Sequence, residues 1–162
     1  VSVWHPVYIG VGSNVDDPAA QVRLAVSKLD AIAGCRVVSV SPLYGSRAFG
    51  PIAQSDFVNA VVGALTQLEA RKLLLELQGL ERSLGRPARH QKWGPRVIDL
   101  DLLVYGRERA SGGSLELPHP GIAERNFVLL PLADIAPDLD VPGLGRAAEL
   151  AARVTRAGIW PL

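Results

Sequence analysis

Apolar residues along the chain follow two periods, one of about two and one of about 3.6 positions. "PVYIGVGS" (6–13) reads as a first strand ending in glycine. Asp17-Pro18 marks a helix start, a carboxylate N-cap followed by proline at the first helical position. Val22, Val26, Leu29 and Ala33 recur at helical spacing, and Gly34 can end that helix. "CRVVSVS" (35–41) is β-branched and reads as a strand. Residues 45–55 hold Gly50-Pro51 and no periodicity, which predicts a loop. "DFVNAVVGAL" (56–65) reads as another strand. Thr66 and Glu69 have capping-box spacing, and Leu73, Leu77, Leu80 and Leu84 form a helical stripe. Residues 85–95 are polar and basic, which predicts a loop; 97–105 predicts a strand, "PHPG" (118–121) a turn and 146–156 a short helix. Strand, helix, strand, strand, helix, strand is the split βαβ order. The predicted fold is therefore α+β and ferredoxin-like, an antiparallel sheet with helices packed on one face plus a C-terminal extension.

Composition narrows the class. At 162 residues the chain is expected to form one domain, 1–162. An apolar share of 48% and a charged share of 20% fit a globular protein. No run approaches the ~18 apolar residues of a membrane span, and "VSVWHPVYIG" lacks the basic-then-apolar pattern of a secretory leader. Cys35 is the single cysteine, which excludes an intrachain disulfide and suits a cytoplasmic protein. The net charge of +1 gives no overall pull toward nucleic acid or membrane. Electrostatic function must come from local clustering.

Such clustering occurs at "KWGPRVIDLDLL" (92–103). In a strand, Ile98, Leu100 and Leu102 point one way and Asp99 and Asp101 the other. Same-face neighbours two apart sit roughly 7 Å apart at a ~3.3 Å rise. Two carboxylates so placed need a cation, either arginine or a divalent metal. The preceding stretch, 82–96, carries Arg82, Arg86, Arg89, Lys92 and Arg96, with His90 and no acid. Carboxylates that hold metal beside several guanidinium groups are what phosphoryl transfer requires. A run of charge is more often a solvated face.

The same stretch resembles the signature R-W-G-P-R-x-x-D-[LIV]-D-L-L of the 6-hydroxymethyl-7,8-dihydropterin pyrophosphokinases, with Lys92 at the first place. "YIGVGSN" (8–14), "SPLYGSRAFGPIAQSDFVNAV" (41–61) and "LPHPGIAERNFVLLPLADIAP" (117–137) are similar to further segments of that family, in order along the chain. The resemblance implies an enzyme that transfers pyrophosphate from ATP to the hydroxymethyl group of the dihydropterin, giving AMP, with two Mg²⁺ ions. It also implies a monomer that engages neither nucleic acid nor membrane.

Carried over position by position, the resemblance assigns the metal ions to Asp99 and Asp101 and the transferring phosphates to Arg86 and Arg96. It assigns the pterin ring to Phe57 and Phe127, the pterin edge to Asn59, and further contacts to Ser46, Arg47 and Phe49. It assigns the nucleotide to Gln78, Glu81, Arg89, Trp93, Arg96, Ile98, His119 and Arg125. Three positions depart from the family pattern: Ala88 where a second loop arginine is common, Ser114 for an arginine and Glu116 for a threonine. These bear on nucleotide affinity. The rival reading is a ferredoxin-like domain that binds single-stranded RNA through the basic 82–96 loop. Aspartates on the fourth main strand, where such a domain needs rings, weigh against it.

Overall fold

A computed structural model describes residues 3–48, 50–85 and 97–162. Chain order is β1 (His5–Ser13), α1 (Pro18–Asp30), β2 (Cys35–Val40), β3 (Tyr44–Ser46), β4 (Phe57–Thr66), α2 (Ala70–Ser83) and β5 (Asp99–Tyr105). A 3-10 turn (Ile122–Glu124), α3 (Asn126–Ile135), β6 (Asp140–Val141), β7 (Gly145–Arg146), α4 (Ala147–Arg153) and β8 (Ile159–Pro161) follow. The fold is mixed α and β around one antiparallel six-stranded sheet. Its order runs β5-β1-β4-β3-β8, with β2 also paired to β4.

The helix starts show which local signals held. Asp17 Oδ1 accepts from the Ala20 backbone N–H at 3.2 Å, and Pro18 opens α1. Val22, Ala25 and Leu29 are its buried stripe. The predicted capping box at α2 does not form. Thr66 is the last residue of β4, and its hydroxyl instead accepts from Leu68 N and donates to the Gly34 carbonyl. Glu69 occupies the N-cap position without a side-chain bond.

β4 and β1 are buried on both sides, and that settles the layer order. Val58, Ala60, Val62 and Ala64 of β4 join Val7, Ile9 and Val11 of β1 in the larger core, under α1 and α2. Val61 turns the other way, into a second core with Leu103, Val128, Leu129, Leu132 and Leu150. The expectation of helices on one face is thus corrected: α3 and α4 cover part of the opposite face. "NFVLLPLADI" was unreadable as a helix because it is apolar nearly all round and contains Pro131.

β5 is an edge strand with a bulge. Tyr8 pairs with Val104 and Ile9 with Leu102, so Leu103 is the extra residue. It turns into the second core. A bulge of this kind re-aims side chains at a sheet edge. The short β3 lies partly inside the predicted 45–55 loop; β4 on one side and β8 on the other supply its pairing.

Candidate active site

The register puts the candidate residues on one face. Gly12 stands between Asn59 of β4 and Asp99 of β5, and Gly10 between Val61 and Asp101. Leu100 and Leu102 point into the larger core, so Asp99 and Asp101 project from the other face, as the alternation predicts. Gly12 puts no side chain between Asn59 and Asp99, whereas the Leu103 side chain packs over Gly10, 3.6 Å from where a Cβ would lie. A Cβ at Gly12 would come within 3.0 Å of Asn59 Oδ1. The structure puts Gly12 and Ser13 in β1, where the sequence reading has Gly12-Ser13-Asn14 as a turn supporting the fold and the pterin side and does not single out the shared face of Gly10 and Gly12. Their two-residue spacing in "YIGVGS" was the available signal, since residues two apart in a strand share a face.

At the β5 end, three groups converge. His119 Nε2 lies 3.8 Å and Arg125 Nη1 4.0 Å from the two carboxylate oxygens of Asp101. Burial depresses the His119 pKa, the nearby Arg125 charge lowers it further, and Asp99 opposes them in part. The imidazole is therefore neutral near pH 7, and its approach to Asp101 is a dipole facing a charge. Its Nδ1 accepts from the Gly121 backbone N–H at 3.1 Å. The ring proton is thus on Nε2, toward Asp101. Arg125 also extends over the Phe127 ring, 5.8 Å from its centroid, a cation–π distance.

At the β4 end, Asn59 Nδ2 donates to Ser46 Oγ at 2.7 Å, and both residues are buried. Phe57 is half-buried at the start of β4, paired with Ser46 across the ladder. Phe127 is half-buried in the first turn of α3. Arg47 is exposed, with its backbone N–H bonded to the Gly158 carbonyl.

A cleft of about 210 Å³ opens beside β5. Leu74, Leu102 and Leu115 wall it, with Asp101, His119, Ser114 and Glu116 among its polar lining. Of the nucleotide residues expected from sequence, His119 lines this cleft. Gln78 is half-buried one helical turn beyond Leu74. Glu81 is buried, and its carboxylate accepts from the Leu100 backbone N–H at 2.8 Å. Ile98 stands just before β5, and its side chain is fully buried in the larger core, together with Leu100 and Leu102, which line the cleft. Phe49, Arg86, Arg89, Trp93 and Arg96 lie outside the described residues.

The donor set suits one kind of ion. Asp99 and Asp101 offer hard carboxylate oxygens, and magnesium is held by one or two carboxylates with the remaining positions left to phosphate and water. Among the described residues no three His, Cys, Asp or Glu side chains gather as a complete cage. Among the same residues, no helix is long and apolar enough to cross a membrane.

Comparison with known proteins follows the same outline. Residues 8–137 match the family described as 7,8-dihydro-6-hydroxymethylpterin-pyrophosphokinase. The chain is 41% identical over 153 residues to the Pseudomonas aeruginosa 2-amino-4-hydroxy-6-hydroxymethyldihydropteridine pyrophosphokinase, covering 94% of each. It is 43% identical over 152 residues to the Methylorubrum extorquens protein of the same name, covering 94% of this chain and 95% of that one. A Plasmodium falciparum HPPK-DHPS variant, solved with pterin and p-hydroxybenzoate, matches 99% of this chain with a TM-score of 0.73 at 11% identity. The matched part is 47% of that longer chain, and the likeness is one of fold.

Proposed function

Since the chain belongs to the 7,8-dihydro-6-hydroxymethylpterin-pyrophosphokinase family, we propose that one sheet face carries both its substrates, ATP over β5 and the dihydropterin over β4. The reaction is the family's: pyrophosphate passes from ATP to the hydroxymethyl oxygen of 6-hydroxymethyl-7,8-dihydropterin, and AMP leaves. It is a step of folate biosynthesis. One observation carries the assignment of the site: His119 and Arg125 converge on Asp101, on the face that also bears the Asn59–Ser46 pair.

Family enzymes use magnesium with ATP, and we assign two ions to Asp99 and Asp101. Magnesium held by Asp99 and Asp101 would offset the charge of the phosphates. The remaining work falls to the chain. Asp99 and Asp101 anchor the triphosphate end at the sheet. Arg125, and His119 through its Nε2–H, donate toward phosphate oxygens. Arg86 and Arg96 act on the transferring phosphates, with Arg89 and Trp93 on the nucleotide. The cleft between Leu74, Leu102 and Leu115 takes the nucleotide's base, where Ser114 and Glu116 replace the arginine and threonine of relatives. Phe57 and Phe127 offer ring faces to the pterin. Asn59, with Ser46, Arg47 and Phe49 nearby in sequence, offers donors and acceptors to its edge. Holding the hydroxyl in line with the β-phosphorus turns a bimolecular step into an effectively unimolecular one.

The finer architecture is read as ferredoxin-like. Its support is the sheet order β5-β1-β4-β2, with α1 and α2 over one face.

The test is product analysis with ATP, Mg²⁺ and 6-hydroxymethyl-7,8-dihydropterin. AMP should form in step with the pterin pyrophosphate, and Asp101→Ala and Asn59→Ala should each lower the rate while keeping the fold. ADP as the product, or two fully active variants, would contradict the assignment.

A further inference from the structure

Residues 155–162 touch both elements that carry the proposed pterin groups. On the β3 side, β8 runs antiparallel to it, pairing Ile159 with Ser46, Trp160 with Gly45 and Pro161 with Tyr44. The Arg47 N–H donates to the Gly158 carbonyl at 2.9 Å and the Leu162 N–H to the Leu43 carbonyl at 3.1 Å. A three-residue strand has few bonds of its own, so its place depends on what flanks it. On the α3 side, Asn126 is 6% exposed. Its Nδ2 donates to the carbonyls of Thr155 and Ala157, at 2.9 and 3.1 Å. Phe127 is the next residue. The Tyr44 hydroxyl adds a second tie, donating to Asp134 on α3.

Trp160 explains why Gly45 is glycine. A Cβ at Gly45 would lie 2.3 Å from Trp160 Nε1 and 2.5 Å from Cε2. The indole therefore rests directly on the β3 backbone. By strand alternation Gly45 faces away from the side that bears Ser46 and Asn59. The ring supports β3 from beneath the slot and does not line it.

We propose that residues 155–162 form a clamp that fixes the spacing between Ser46 on β3 and Phe127 on α3, with Asn126 and Trp160 as its positioning residues. The inference rests on the reading that Ser46, Asn59 and Phe127 bind the pterin. Neither Asn126 nor Trp160 contacts substrate; each acts through the wall it holds. Loosening either wall weakens the hold on the dihydropterin and leaves the ATP end, built on β5, His119 and Arg125, as it was.

The experiment is steady-state kinetics with dihydropterin and ATP varied separately, on Trp160→Ala, Trp160→Phe, Asn126→Asp and Asn59→Ala. In Trp160→Ala the dihydropterin KM should rise roughly tenfold or more, the scale of a misplaced binding group, with the ATP KM unchanged. Trp160→Phe should recover most of the loss, because a ring again covers Gly45. Asn126→Asp reaches the clamp from α3 without touching the sheet, so it tests the idea even if Trp160→Ala does not fold. It sets a carboxylate against two carbonyls and should give the same split. A lowered melting temperature with both KM values unchanged would overturn the clamp, and so would an equal rise in both. If Asn59→Ala raises the dihydropterin KM while the clamp variants do not, the clamp alone falls. If Asn59→Ala also has no effect, the pterin reading falls with it.

Discussion

The Glu81 carboxylate accepts a hydrogen bond of 2.8 Å from the backbone N–H of Leu100, the residue between Asp99 and Asp101. The bond runs from α2 to the outer side of an edge strand. It holds the stretch of β5 that carries both aspartates. Glu81→Ala should cost about 1–3 kcal/mol in urea denaturation, the range for removing a charged partner from a buried donor. The Mg²⁺ concentration for half-maximal rate should also rise by roughly tenfold, as when the support behind a metal ligand is lost. Glu81→Gln, which keeps an acceptor oxygen, should recover part of both. An unchanged Mg²⁺ dependence in Glu81→Ala would detach this residue from the site.

Gly12 lies between Asn59 and Asp99 with no side chain over the floor of the site. In Gly12→Ala the new Cβ would sit 3.0 Å from Asn59 Oδ1, closer than ordinary contact. The dihydropterin KM should rise about tenfold, which equals ~1.4 kcal/mol of binding. The melting temperature should move little, because the backbone of a strand tolerates alanine. A normal dihydropterin KM would show that the bare floor is not where the pterin rests.

Ser13 sits fully buried at the end of β1, and among the described residues its Oγ has no hydrogen-bond partner. A buried hydroxyl without a partner costs about 1–3 kcal/mol. Ser13→Ala should therefore raise stability, by about 1 kcal/mol in equilibrium denaturation. A loss of stability would mean that the hydroxyl has a partner after all.

Tyr44 links the site to alkaline stability. Its pKa is pushed up to about 12, first by burial and then by the hydrogen bond it gives to Asp134. The unfolded phenol ionises near its ordinary pKa of about 10. Between those values the unfolded chain releases a proton that the folded chain keeps, so stability falls as pH rises from about 10 to about 12. Tyr44→Phe should be less stable at neutral pH but lose less over that window. Tyr8 and Tyr105 are also raised by burial, so the variant should show a shallower slope and not a flat one. An identical slope would remove Tyr44 from the linkage.

What the sequence revealed and what it concealed have physical causes. α1 and α2 were legible because each has one buried stripe with a clear period and, at α1, a cap whose bond forms; the four main strands were legible as short apolar, β-branched runs. Asp99 and Asp101 were legible because two carboxylates interrupt an apolar strand at a spacing of two. α3 was not legible, since its apolar residues surround the axis and Pro131 sits inside it. β3 and β8 were not legible because each is three residues long and held by the other. The convergence of His119, Arg125 and Asp101 spans 24 positions, from 101 to 125, and depends on the turn around Gly121. No local pattern encodes it.

The most direct test of the site is a count of bound Mn²⁺, standing in for Mg²⁺, by electron paramagnetic resonance with a non-hydrolysable ATP analogue present. The wild-type chain should hold two ions with the analogue. Asp99→Ala combined with Asp101→Ala should retain its circular-dichroism spectrum and lose the protein-dependent binding. A folded double variant that binds Mn²⁺ and the analogue as the wild type does would contradict the account.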